Sequence, residues 1–213
     1  MSALISIITR ENVHADTIRW ALREMKAGPV GEVDIDIVRS FMPIDANRNL
    51  QVERFLASEH SHIFFLDSDA VPPRSALWVL LDADKDVILA PNLIFDHGPR
   101  HVEYMVYDDP WPEEGRISVH NPTAGVEKIH GSGMSGLLVH RKVLEKLPPP
   151  WFRFTYGDDG KILIGEDVMF YRNVRDAGFD VWCDYSLVQQ HYKTLDLKEV
   201  FDAAKKTEVG FHG

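Results

Sequence analysis

An α/β fold, with a mostly parallel central sheet flanked by helices, is what this sequence predicts, and three observations carry that expectation. Ile63–Leu66 (IFFL) is a continuous apolar run with the β-branched and aromatic character of a strand buried on both faces, and Leu4–Thr9 (LISIIT) is a second strongly β-branched run. Strand-like, helix-like and strand-like patterns follow one another from Leu4 to Val38, the spacing of a βαβ unit whose right-handed crossover makes its strands parallel. The run at Ile63 stops on Asp67-Ser68-Asp69, and Pro72-Pro73 forbids further ladder pairing. The carboxyl end of a buried strand is where open α/β sheets bind their ligands.

After the first strand, Arg10–His14 turns, and Ile18, Ala21, Leu22 and Met25 recur at helical spacing until Gly28-Pro29 ends the helix. Val33–Val38 alternates apolar residues with Asp34 and Asp36 and reads as a strand. Pro43–Glu59 reads as a helix with Leu50, Val52, Phe55 and Leu56 inward and Arg48-Asn49 near its start. Ser75–Leu81 is the next helix and Val87–Ala90 a short strand. From Pro91 to Glu127 the periodicity is lost while aromatic residues accumulate (Tyr104, Tyr107, Trp111), a pattern that suits a binding loop better than plain disorder. The small residues from Gly131 to Gly136 lead into a strand, Leu137–His140, and allow either a close ligand or a bulge. Arg141–Leu147 is a short helix stopped by three prolines, and the segment to Lys161, with Gly157-Asp158-Asp159-Gly160, has the composition of a mobile loop. Glu166-Asp167 opens a helix with Phe170, Val174 and Ala177 inward and Gly178 at its end. Phe179–Cys183 is a last strand, and His191-Tyr192-Lys193 precedes a polar terminal helix with Leu195, Val200 and Phe201.

The bulk properties narrow the functions available. A chain of 213 residues, 45% hydrophobic, suits one domain with a sizeable core. Acidic residues outnumber basic ones 33 to 23, for a formal charge of -10, which argues against nucleic acid because backbone binding needs clustered Lys and Arg. A phosphorylated ligand would therefore need a local positive charge. The single Cys183 excludes an intramolecular disulfide and points to a reducing compartment. The apolar run at the start is too short to span a membrane and lacks a signal-peptide pattern, so a soluble cytoplasmic protein is expected.

The candidates for chemistry are Asp67 and Asp69, Glu166 and Asp167, and His191. Carboxylates with one imidazole suit a divalent cation such as Mn²⁺ or Mg²⁺, the His favouring Mn²⁺. Each piece alone has a plainer explanation. A bare D-x-D more often caps the following helix, Glu166-Asp167 suits a helix N-terminus, and a lone His after a strand is more often a surface residue. His60, His62 and His97 carry no such signal. A G-x-G-x-x-G fingerprint is absent, so no glycine turn of that kind holds phosphates.

Taken in order, the βαβ start, Arg48-Asn49, the apolar strand ending in D-x-D, the GSG entry to a strand, the Gly165-Glu166-Asp167 helix start and the late His191 resemble a nucleotide-sugar-dependent glycosyltransferase of the GT-A fold, the family-2-like kind. The resemblance spans Ile5 to about Lys193 and implies a single GT-A domain. Residues 1–90 would form its nucleotide-binding half and residues 91–213 its acceptor and catalytic half. Asp69 and His191 would ligate the metal on the donor diphosphate, with Asp67 on the ribose or a metal-bound water. Thr9, Arg10 and Arg48 would lie along the nucleotide, with Ser68 and Gly133 also lining the donor site. Asp167 would be the base that deprotonates an acceptor hydroxyl, and Glu166 would orient the acceptor or sugar. The implied partners are a UDP-sugar, with a GDP-sugar as alternative, and a small-molecule or glycan hydroxyl. Inversion is favoured, and a retaining enzyme of the same fold is the alternative. A sugar nucleotidyltransferase would usually carry a glycine-rich basic loop where ISIITRENVH offers one Arg and no Gly. A non-catalytic glycan-binding module would use the aromatic middle without the carboxylates and His191.

Overall fold

The computed structural model describes residues 1–29, 31–39, 41–96, 101–107, 125–193 and 198. Its chain order is β1 (Ala3–Thr9), α1 (Ala15–Ala27), β2 (Val33–Arg39), α2 (Ile44–Leu56), β3 (His62–Asp67), β4 (Ala70–Val71), α3 (Ala76–Asp82) and β5 (Val87–Leu89). There follow β6 (Leu93–Asp96), β7 (His101–Tyr104), β8 (Val106–Tyr107), β9 (Val126–Ile129), β10 (Gly131–Ser132), β11 (Leu137–His140) and α4 (Arg141–Lys146). The last elements are β12 (Thr155–Tyr156), β13 (Ile162–Ile164), α5 (Glu166–Asp176), β14 (Val181–Asp184), a 3₁₀ turn (Tyr185–Leu187) and β15 (Gln190–His191).

Seven strands form the central sheet in the order β2-β1-β3-β11-β5-β14-β9. The pair β1–β2 is parallel, as the βαβ reading requires, and β3 joins β1 in parallel with Ile8 opposite Asp67. β11 enters between β3 and β5 antiparallel to both, β14 runs parallel to β5, and β9 closes the edge antiparallel to β14. The sheet is thus the mixed, mostly parallel one expected of a GT-A fold.

The full burial of Ile63, Phe64, Phe65 and Leu66 has a direct cause, because alternate residues of β3 serve opposite layers. Phe64 and Leu66 pack with Trp20 of α1 and Leu77 and Leu80 of α3 on one face. Ile63 and Phe65 pack with Phe55 of α2, Val143 and Leu144 of α4, and Phe170 and Val174 of α5 on the other. A continuous apolar run is the only composition that satisfies both faces. Cutting Phe64 to Ala would cost about 3–5 kcal/mol, as cavities in such cores do.

Several local expectations change: β6 pairs antiparallel with β7 inside the stretch expected to be irregular, and β15 follows the strand expected to be the last. On α1 the buried residues are Thr17, Trp20, Ala21 and Glu24, while Leu22 is 39% exposed. Glu24 turns inward because its carboxylate accepts the backbone N–H of Ser75 at 2.7 Å. On α2 the buried face is largely polar (Asn47, Arg48, Gln51) with Val52 and Phe55, and Leu50 is only half-buried. The segment expected as a loop between Thr155 and Lys161 forms the first part of a hairpin, β12 against β13, with Asp159 accepting the N–H of Lys161. Trp111 and the expected terminal helix with Leu195, Val200 and Phe201 lie outside the described residues.

Candidate active site

Asp67 ends β3, Ser68 and Asp69 make the turn, and β4 leaves it. Three long-range backbone contacts strap this turn. His14 N–H donates to the Ser68 carbonyl at 2.8 Å and Tyr192 N–H to the Asp69 carbonyl at 2.8 Å, while β15 pairs antiparallel with β4, setting His191 opposite Ala70. The pairing carries His191 to Asp69 from more than a hundred residues away in sequence. Its Nε2 stands 3.5 Å from Asp69 Oδ1, and its Nδ1 lies 3.0 Å from the Leu93 carbonyl. A carbonyl only accepts, so Nδ1 carries a proton, and the Asp69 carboxylate facing Nε2 raises the His191 pKa and favours a proton there too.

The two carboxylates of the D-x-D turn have different partners. Asp67 Oδ1 meets the Arg48 guanidinium at 2.7 Å, where the arginine side chain is 4% exposed and that of Asp67 31%. The Ser135 hydroxyl accepts the Asp67 N–H at 3.1 Å. Gln51 extends the network, receiving Arg48 Nη1 at 3.4 Å and donating to the Ser6 carbonyl at 2.9 Å. Asp69 instead binds Lys193 Nζ through Oδ2 at 2.8 Å. Burial pushes the Asp69 pKa up, but the contacts from His191 and Lys193 outweigh it and hold the group at about 2.

Arg48, Asp67, Asp69, His191 and Lys193 border one cavity of about 490 Å³. Thr9 enters it from the end of β1 and Arg10 from the bend after it, Arg48 from α2, Asp67, Ser68 and Asp69 from the turn, and Gly133 from the strand entry. Glu166 and Asp167 reach it from the start of α5, and His191 from β15. The sequence reading therefore named positions that the tertiary structure brings around a single cavity. It passed over Asn47, Asn92, Ile94, Met105 and Met134, and gave Lys193 no role, though all border the same space. Asn49, singled out with Arg48, turns away and holds Phe152 by two backbone contacts. Asn47 Oδ1, Arg48 Nε, Asn92 Oδ1 and His191 Nε2 are buried without a hydrogen-bond partner. Such atoms cost free energy unless something binds them, and their gathering at one cavity suits a polar ligand.

Gly133 borders the cavity, and its carbonyl accepts the buried Tyr171 hydroxyl at 3.0 Å. Gly136 has φ +80°, and a Cβ there would strike the Gln189 amide and the Ala90 carbonyl. On α5, burial raises the pKa of Glu166, with Asp167 adding to the rise. Burial also raises that of Asp167, against the pull of its hydrogen bond from the Val168 N–H and of Arg48.

The donor set fits a divalent cation through Asp69 and His191, with Asp67 committed to Arg48. Among the described residues no group of three or more His, Cys, Asp or Glu side chains is arranged to hold a metal. A cation there would complete its shell with ligand oxygens and water, as Mg²⁺ commonly does.

No protein-family profile and no curated protein matches the sequence. Solved structures do match in fold. A197 from STIV aligns over 91% of this chain and 87% of its own, with TM-score 0.62 and 21% identity. GalNAc-T7, solved with UDP, GalNAc and Mn²⁺, aligns over 92% of this chain with TM-score 0.59 and 10% identity. S. aureus TarS 1-349, solved with UDP-GlcNAc, aligns over 92% with TM-score 0.53 and 10% identity. This chain spans 44% and 60% of the latter two. The fold is that of the GT-A glycosyltransferases. No helix of the described residues is long and apolar enough to cross a membrane.

Proposed function

We propose that this protein is a metal-dependent, nucleotide-sugar glycosyltransferase, a hexosyltransferase using a UDP-sugar, with a hydroxyl group of a small molecule or glycan as acceptor. The observation that carries the reading is the convergence of Asp69 and His191 Nε2 on one cavity wall, with Glu166 and Asp167 on α5 lining the same space. The relatives in fold that were solved with UDP or UDP-GlcNAc support the donor class. In this assignment residues 1–90 carry the nucleotide and residues 91–213 the acceptor and catalytic groups. The lone, buried Cys183 suits a reducing, cytoplasmic setting.

Asp69 and His191 would hold Mn²⁺, which when bound supplies Lewis-acid stabilisation of the charge that develops on the departing diphosphate. Thr9, Arg10, Ser68 and Gly133 line the nucleotide, and Arg48 aligns Asp67 toward the ribose. Asp167 acts as the base. The acceptor oxygen attacks the anomeric carbon, the bond to the diphosphate oxygen breaks and that oxygen takes the electron pair, while the acceptor proton passes to the Asp167 carboxylate. The configuration inverts. The upward shift of Asp167 by burial brings the carboxylate closer to the working pH, which favours a general base. Glu166 holds the acceptor.

Thermal shift with UDP tests the reading, because a ligand of the native state raises the melting temperature by mass action. UDP with Mn²⁺ is expected to raise it well above UDP with chelator. Equal shifts in the two conditions, or none with any nucleoside diphosphate, would refute it.

A further inference from the structure

Lys193 has no place in the scheme above, yet its ammonium occupies the carboxylate most needed for the metal. Nζ lies 2.8 Å from Asp69 Oδ2 while His191 Nε2 faces Oδ1 at 3.5 Å. The backbone brings it there, since β15 pairs with β4 and the Tyr192 N–H is bonded to the Asp69 carbonyl. The Tyr192 ring stacks on His14 with centroids 4.0 Å apart, and the next residue, Lys193, borders the cavity. The lysine side chain is 53% exposed, and a flexible four-carbon stem lets its point charge swing without moving the backbone. A divalent cation approaching Asp69 meets like charge already in place. Once the cation holds the carboxylate, the ammonium is repelled from it and needs another anion.

We propose that Lys193 is a tethered cation that shares Asp69 with the divalent metal, neutralising the carboxylate before the donor binds and turning onto the donor's diphosphate when the metal displaces it. This rests on the glycosyltransferase reading and adds a diphosphate-positioning residue to it. It also accounts for how an acidic protein meets a doubly charged diphosphate, by adding a second mobile positive charge next to the metal.

Isothermal titration separates the two roles, using MnCl₂ alone and then UDP at saturating Mn²⁺, on the full chain and on Lys193→Ala. The variant is expected to bind Mn²⁺ about two- to fivefold more tightly and UDP about two- to fivefold more weakly, the range of a partly exposed ion pair. Lys193→Arg should restore most of the UDP affinity. A merely structural lysine would weaken both on removal, so shifts of opposite sign are the signature. Weakening of both, or no change in either, would overturn the proposal. Wild-type protein that binds UDP with Mn²⁺ while Lys193→Ala behaves identically removes this inference alone. Wild-type protein that binds neither removes the donor reading and this inference with it.

Discussion

Replacing each carboxylate of the D-x-D turn by its amide should produce opposite phenotypes, because the two sit in different surroundings. Asp67→Asn leaves the Arg48 guanidinium, 4% exposed, facing a neutral amide at 2.7 Å. Breaking a fully buried pair costs about 3–5 kcal/mol because a charge stays uncompensated. Here the Asp67 side chain is 31% exposed and Gln51 still touches Arg48, so water and an amide offset part of the loss. About 2–3 kcal/mol remains, which for a chain of this size lowers the melting temperature by about 5–10 °C. Asp69→Asn breaks contacts of a carboxylate that is 37% exposed, with a half-exposed lysine as one partner. Its cost should stay below about 1 kcal/mol. Melting followed by circular dichroism gives the first comparison, and the UDP-plus-Mn²⁺ shift the second. Asp69→Asn should fold normally and lose most of the ligand shift, whereas Asp67→Asn should be the less stable protein. Combining Asp67→Asn with Arg48→Met should recover most of the stability, since removing both charges removes the uncompensated one. The reasoning fails if Asp69→Asn proves the more destabilised of the two, or if the double variant is no more stable than Asp67→Asn.

Asp167→Asn is expected to keep fold and UDP affinity while transfer to the acceptor falls by about two orders of magnitude or more, with Glu166→Gln acting more on acceptor KM; a fully active Asp167→Asn enzyme would turn the assignment to a retaining course. His62, 6% exposed, has its pKa lowered to about 4 by burial and next by His140 beside it. The unfolded chain takes up a proton near the ordinary 6.5 that the folded chain refuses, so this contribution is complete above 6.5 and is lost as pH falls toward 4. The loss reaches up to about 3 kcal/mol, so urea melts from pH 7 to 4 should show a shallower decline for His62→Gln, and an unchanged slope would contradict the assignment. Gly136→Ala meets both a positive φ and the Ala90 carbonyl, and should cost more than about 2 kcal/mol by chemical denaturation, against near-neutrality for Gly157→Ala, whose contacts are looser.

Some of this protein was determined by the sequence alone. Local composition made β3 a doubly buried strand, because only an unbroken apolar run fills both layers, and the prolines after Asp69 set its end. The gathering of Thr9, Arg10, Arg48, the D-x-D turn, Glu166, Asp167 and His191 followed from an ordered pattern of weak signals and was legible as a resemblance. The antiparallel entry of β11 between β3 and β5 was not, since four residues of strand carry no mark of their partners. Nor was the polar inner face of α2. Periodicity counts apolar residues, so it gives Asn47 and Gln51 no inward place, and it does not show that Arg48 is buried against Asp67 or that Gln51 reaches Ser6. The two-residue strands β4 and β15 have no period at all, and only their pairing brings His191 and Lys193 to Asp69. Propensity acts over a few residues, whereas backbone pairing and the need to satisfy a buried charge join residues far apart in the chain, so the site's wiring could be decided only in the folded state.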